Sequence, residues 1–300
     1  MFKKNDIVCF LGDSITAKGL CMAEVYQTLR EKYSLKCINC GVSGSTATKS
    51  LYYLHERCLN FHPSCVVIMF GVNDVRYSLY KESLMGDPAT EQRKKEYLDA
   101  FAPSYEKVIE ECMAAGARVI LCVTVPYDDV SDGEEPIMKC QDALNGCGDF
   151  VRSLAEKYGC PLVDFPKTLY PMLGEREIIS SDRVHPTEIG HHVMAQVFLK
   201  ELGEIDECDF DTPFVWEDWN RERYDCEQEL TLVNLIEYCI FVPDRYVKQM
   251  PLEERKKIAK ERYAEFEDKN NIFARAYKEY VQKIDDYSSY VEKTVDKTIF

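Results

Sequence analysis

Long apolar runs are missing from this sequence. No stretch of its 300 residues approaches the roughly 18 uninterrupted apolar residues of a membrane span. The opening MFKKNDIVCF has basic residues but neither a long apolar h-region nor a small-residue cleavage site, so no secretory signal is expected. Positive charge is scarce as well. Lys and Arg number 37 against 52 Asp and Glu, a formal net charge of -15. So acidic a chain repels phosphate backbones and anionic membrane surfaces, which excludes nucleic acid as a general partner. No low-complexity linker and no internal repeat is present.

Cysteine, by contrast, is plentiful at 14 residues. Cys9, Cys65, Cys122 and Cys239 lie inside apolar runs, where Cys behaves as a small hydrophobe. Cys37 and Cys40, in "CINC", have redox spacing but sit in a strand pattern rather than opening a helix. Strand alternation points them to opposite faces. What is lacking is a second Cys or His pair at ligand spacing. The expectation is therefore reduced thiols, no metal and a cytoplasmic location.

Hydrophobic residues make up 46% of the chain, enough for a sizeable core. Apolar runs at 7–11, 35–40, 65–71, 118–126 and 161–165 read as five strands. Helical patterns fall between them, at 22–33, 47–61, 91–115 and from a polar loop near 127–137 to about 158; a last one covers 186–202, with Pro186 in its first turn. Near-continuous apolar strands alternating with helices predict an α/β fold, a parallel sheet covered on both faces. Ligands in such sheets bind beyond the carboxyl ends of the strands.

The last hundred residues differ. An acid-dense stretch at 206–229 precedes an apolar segment at 230–241, and Phe273, Tyr277, Tyr280, Ile284, Tyr287 and Val291 form one apolar-aromatic seam. The division expected is a domain over 1–203 and a C-terminal helical extension over 204–300. The seam is shorter than a coiled coil requires, so packing on the core is favoured over a homo-oligomer interface.

The strand tips carry the chemistry. The first ends in Gly12-Asp13-Ser14, the second in "NCGVSGST" (39–46) and the third in "GVND" (71–74). "SDRVHP" (181–186) leads into the last helix, with Asp182 and His185 three apart. Gly-Asp-Ser alone is an ordinary strand terminator. Acyl transfer, however, needs a serine with a base to take its proton. It also needs a histidine held in one tautomer by a carboxylate, and preorganised donors for an oxyanion. Ser14, His185 and Asp182 supply the first three. The Ser14 and Gly44 N–H groups and the Asn73 amide are the candidate donors.

In order and spacing, "GDSIT", "SGST", "GVND" and "DRVH" resemble the four motif segments of the SGNH (GDSL-type) ester hydrolases, over about residues 5–203. The resemblance implies a flavodoxin-like three-layer α/β/α fold with a five-stranded parallel sheet. It implies Ser14 as nucleophile, Gly44 and Asn73 as oxyanion donors and an Asp182–His185 pair. It also implies no cofactor and no metal. Two departures stand out. Ala17-Lys18-Gly19 replaces the acidic residue and glycine that many relatives carry, and the region after about 204 has no counterpart in the minimal family domain.

Other polar residues read as structural. Ser43 lacks the elbow spacing of α/β-hydrolases, since Ser45 stands where glycine is needed. Asp13 and Asp74 read as turn formers that support the site. His191 and His192 lie within the last helix without Cys or carboxylate partners at ligand spacing, and His55 and His62 suggest no partner. Trp216 and Trp219 fit packing better than a cleft. The expected protein is a serine ester hydrolase acting on small-molecule, short-chain acyl esters, O-acetyl carbohydrates among them. A lysophospholipase or thioesterase, and an acyltransferase using the same residues, are the rivals. A non-catalytic binding module would lack one of the catalytic residues, and none is missing.

Overall fold

Five apolar runs become five parallel strands. In the computed structural model, which describes residues 1–212 except Glu134, together with Phe214 (and no side chain for Glu56), these are β1 (Ile7–Gly12), β2 (Lys36–Asn39), β3 (Cys65–Met69), β4 (Arg118–Val123) and β5 (Leu162–Asp164). The expected helices of the C-terminal region, its seam, Cys239, Trp216 and Trp219 lie outside the described residues. The strand order is β2-β1-β3-β4-β5, with all four pairings parallel. This is the flavodoxin-like order. β3 is buried at every residue, as a strand covered on both faces must be.

The helices, in chain order, are α1 (Ser14–Lys18), α2 (Leu20–Tyr33), α3 (Ala47–Ser50), α4 (Leu54–Arg57), α5 (Pro88–Ala114), α6 (Gln141–Tyr158), α7 (Phe165–Leu169) and α8 (Glu188–Glu201). α2, α7 and α8 pack together on one face of the sheet. There Phe10 of β1 meets Phe198 of α8 with ring centroids 5.9 Å apart. α3, α5 and α6 form the opposite layer, where the Tyr105 hydroxyl donates to the Ile68 carbonyl at 3.1 Å. The result is a three-layer α/β/α fold. Among the described residues no helix is long and apolar enough to cross a membrane.

Three expectations are corrected. The helix expected over 47–61 is broken into α3, α4 and a 3-10 turn at Leu59–Phe61. Tyr53, at the break, is fully buried and donates its hydroxyl to Ser45 at 2.7 Å, so tertiary packing overrides the helical pattern. Pro186 does not enter the last helix. It pairs with Ile179 in an antiparallel bridge, and Thr187 caps α8 by accepting from the Gly190 N–H. The first helix pattern, read from residue 22, is preceded by α1, which begins at Ser14 itself.

Chain order along the sheet reverses between β1 and β3. That reversal opens the crevice where ligands bind in such sheets, and Ser14 and Asn73 follow these two strands.

Candidate active site

The β1 tip is shaped by close approach. A Cβ on Gly12 would lie 2.7 Å from the Met69 carbonyl, so glycine lets β1 turn sharply against β3. Asp13 then caps α1, accepting from the Ile15 N–H at 2.9 Å, and Ser14 becomes the first residue of the helix. Neighbouring tips are stitched to this one. Val42 donates its N–H to the Gly12 carbonyl at 3.0 Å, and Ala47 donates to Asp74 Oδ1 at 2.8 Å. Gly44 sits between these two bonds with φ of 73°, a left-handed conformation that favours glycine. Asn73 Nδ2 is a buried donor beside the Asp13 carboxylate, whose charged form it favours.

The other half is a surface turn. Ser180 N–H donates to the His185 carbonyl at 2.8 Å, and Thr187 N–H to the Ile178 carbonyl at 3.0 Å, closing a hairpin around 180–185. Asp182 Oδ1 accepts from the Val184 and His185 N–H groups, both at 2.9 Å. Its Oδ2 lies 2.6 Å from His185 Nδ1. His185 Nε2 lies 2.7 Å from Ser14 Oγ. Thus Ser14, His185 and Asp182, distant in sequence, form one hydrogen-bonded chain.

Electrostatics orders that chain. Burial works against ionising Asp182, but the N–H groups of His185 and Val184, the imidazole and the Ser180 hydroxyl outweigh it and hold its carboxyl down to about 2. An ionised Asp182 accepts, so Nδ1 carries the proton and Nε2 accepts from the Ser14 hydroxyl. Such an arrangement can pass a proton from hydroxyl to imidazole.

Asp13 and Asp74 behave oppositely. Burial pushes Asp13 up to about 6, against the pull of the Ile15 N–H and nearby His185. Burial pushes Asp74 up to about 7, with Asp13 adding repulsion. Both support the tips through backbone N–H bonds.

The remaining candidates stay apart from this chain of bonds. Ser43 is exposed beside Gly44. His191 is buried, and burial lowers its imidazole to about 4. His192 does have a carboxylate partner, which spacing in the sequence does not reveal: its Nδ1 is 2.9 Å from both oxygens of buried Glu24 on α2. The "CINC" thiols part company. Cys40 joins Cys9 and Cys58, their sulfurs within 4.8 Å of one another. Cys9 and Cys40 each donate an S–H to a backbone carbonyl, that of Cys58 and of Ile38. Arg183, between Asp182 and Val184, is buried. Its partners lie 48 to 55 positions away, and no local pattern announces them.

Comparison with known proteins agrees with this architecture. The model of the GDSL-like lipase/acylhydrolase family matches residues 10–193. An acetylxylan esterase of Geobacillus stearothermophilus is 26% identical over 219 residues, spanning 65% of this chain and 92% of that protein. A crystal structure of that bacterium's acetylxylan esterase superposes with a TM-score of 0.56 at 23% identity, covering 72% of this chain and 97% of the other. Two of its variants are described as catalytic mutants, one with a serine and one with a histidine replaced by alanine. A gut microbial diltiazem-metabolizing enzyme superposes with a TM-score of 0.58 at 22% identity, over 68% of this chain. The chain spans about half of that enzyme's length, 48%.

Proposed function

The chain belongs to the GDSL-like lipase/acylhydrolase family and is a carboxylic ester hydrolase, and on that footing we propose that Ser14, His185 and Asp182 are its catalytic triad. The observation that carries this reading is the 2.7 Å contact of Ser14 Oγ with His185 Nε2, continued at 2.6 Å from Nδ1 to Asp182. Ser14 Oγ attacks the acyl carbonyl while His185 Nε2 takes its proton. The oxyanion is received by the N–H groups of Ser14 and Gly44 and by Asn73 Nδ2, a buried donor following β3. His185 returns the proton to the departing alcohol. A water, activated by the same imidazole, then releases the acid and restores Ser14. Asp182 keeps the imidazole in the required tautomer and stabilises its charged form.

The substrates proposed are short-chain acyl esters, with O-acetylated carbohydrate as the natural class. The support is the likeness to an acetylxylan esterase over 92% of that protein's length. Residues 1–203 constitute the hydrolase domain in this reading, and 204–300 a helical extension.

Labelling with a broad serine-hydrolase probe, followed by mass mapping, is expected to mark Ser14. Ser43→Ala should retain activity on p-nitrophenyl acetate. Across an ester series, turnover should fall as the acyl chain lengthens, and acetylated xylooligosaccharides should release acetate. A label elsewhere would sink the nucleophile assignment. A preference for long acyl chains or lysophospholipids would sink the substrate class.

A further inference from the structure

One side chain ties the Asp182–His185 turn to a second loop. Arg183 holds a left-handed backbone, φ 65°, which few residues other than glycine adopt. Its guanidinium runs inward, and the residue is 4% exposed. Nε donates to the Glu135 carbonyl at 2.7 Å, and Nη1 to the carbonyls of Ser131 at 2.6 Å and Asp128 at 3.2 Å. The clasp is reciprocal, for the Asp128 N–H donates to the Arg183 carbonyl at 2.9 Å. Asp128 Oδ1 in turn accepts from the N–H groups of Val130 and Ser131, at 3.1 and 2.8 Å. Gly133 lies against the guanidinium, where a Cβ would meet Nη2 at 3.2 Å.

Burying a charge is costly unless its hydrogen bonds are made. Here backbone carbonyls along one loop make them, so the loop is wrapped around the guanidinium. Arginine's planar fork reaches several acceptors at fixed angles, which the point charge of lysine does not. The same residue lies at the centre of the turn. Its N–H donates to the Ser180 carbonyl at 2.8 Å, and the Asp182 carboxylate caps the two N–H groups that follow it. Any rotation of the Arg183 backbone swings Asp182 and His185 together.

We propose that Arg183 is a positioning residue: gripped by the carbonyls of Asp128, Ser131 and Glu135, it fixes the turn that sets His185 against Ser14. The inference rests on the reading of His185 as the base and Ser14 as the nucleophile. Its consequence is that the loop's packing is coupled to turnover.

Arg183→Gly tests this, since glycine accepts the left-handed backbone and removes only the side chain. A base displaced by less than about 1 Å should lower kcat on p-nitrophenyl acetate by roughly 10- to 100-fold. KM should stay within about 3-fold, as expected for a loss felt mainly in the transition state. Millimolar methylguanidinium should restore a large part of kcat, and sodium chloride at equal ionic strength should not. Gly133→Ala approaches from the loop side and displaces the guanidinium without touching the turn. It should lower kcat by about 2- to 5-fold with KM unchanged, and it decides the matter should Arg183→Gly not fold. An Arg183→Gly enzyme with undiminished kcat, or a loss that methylguanidinium leaves untouched, would overturn the proposal; so would unaltered turnover in Gly133→Ala where that variant decides. Ser14→Ala, assayed alongside, separates the two readings. Inactive Ser14→Ala beside normal Arg183→Gly removes only the role of Arg183. Active Ser14→Ala removes the nucleophile assignment and this inference with it.

Discussion

The two halves of the candidate site are held by different physics. Ser14 stands on a sheet tip whose supporting carboxylates, Asp13 and Asp74, are 0% and 3% exposed. Asp182 and His185 stand on a surface turn, with side chains 49% and 43% exposed. At the tip, strand pairing and core packing fix the backbone, and burial keeps the carboxyls near neutrality. In the turn, hydrogen bonds converge on one carboxylate and keep it ionised. The tip is held by packing, and the turn by polar bonding. The 2.7 Å bond from Ser14 to His185 joins two elements that are stabilised independently.

The largest expected effect tests whether the halves work as one. Ser14→Ala and His185→Ala should each lower kcat by roughly 10⁴-fold or more, and the double variant should be hardly worse than either, because triad members act as a unit. Additive losses in steady-state assays would mean that the halves serve separate steps. Next comes the tip alone. Asn73→Ala should lower kcat by roughly 10²- to 10³-fold with little change in KM, since its bond is strongest in the transition state. A change confined to KM would make Asn73 a ground-state binder instead.

Smaller effects concern stability. Gly190 of α8 packs against the segment leading into the turn, and a Cβ there would lie 1.9 Å from the Ile178 carbonyl. Gly190→Ala should cost about 1–3 kcal/mol, read from urea unfolding. The last effect is a contrast in pH dependence. Asp13 and Asp74 have folded pKa values of about 6 and about 7, above the roughly 3.9 of an unfolded aspartate. The folded state therefore binds more protons, and the stability they contribute is complete below about pH 4 and is lost as pH rises through 6 and 7. Asp182 is depressed to about 2, so its contribution is present above about pH 4 and is lost as pH falls toward 2. Thermal melts should show Asp74→Asn flattening the decline between about pH 4 and pH 7, the window set by its shift. Asp182→Asn should flatten only the acid side. The reverse assignment of slopes would contradict the contrast.

The same contrast governs what the sequence revealed. Strands buried on both faces leave continuous apolar runs, so "CVVIM" and the tip after it were legible. The Asp182–His185 pair was legible because its geometry is local, three residues within one turn. Contacts between distant segments were not. Tyr53 breaks its helix to reach Ser45, and Pro186 is diverted into a bridge with Ile179. Arg183 finds its carbonyls in a loop some fifty positions earlier, and Cys9, Cys40 and Cys58 share no spacing rule. Nothing in the neighbouring residues encodes such meetings; the topology of the sheet creates them.

The ends of the sheet have a further consequence. Its edge strands are short, four residues in β2 and three in β5, and β2 begins with an exposed lysine, Lys36. At the β5 edge the Asp164 N–H is taken by Glu201 at 2.7 Å. The Asp164 carboxylate is gripped by the Arg152 fork at 2.8 and 2.9 Å. Short, charged and pre-occupied edges are poor templates for another chain's strand. An open sheet as apolar as this one is an aggregation hazard in principle, and here short strands, a lysine at one margin and occupied groups at the other work against lateral growth. Strand addition at these two described edges is therefore disfavoured.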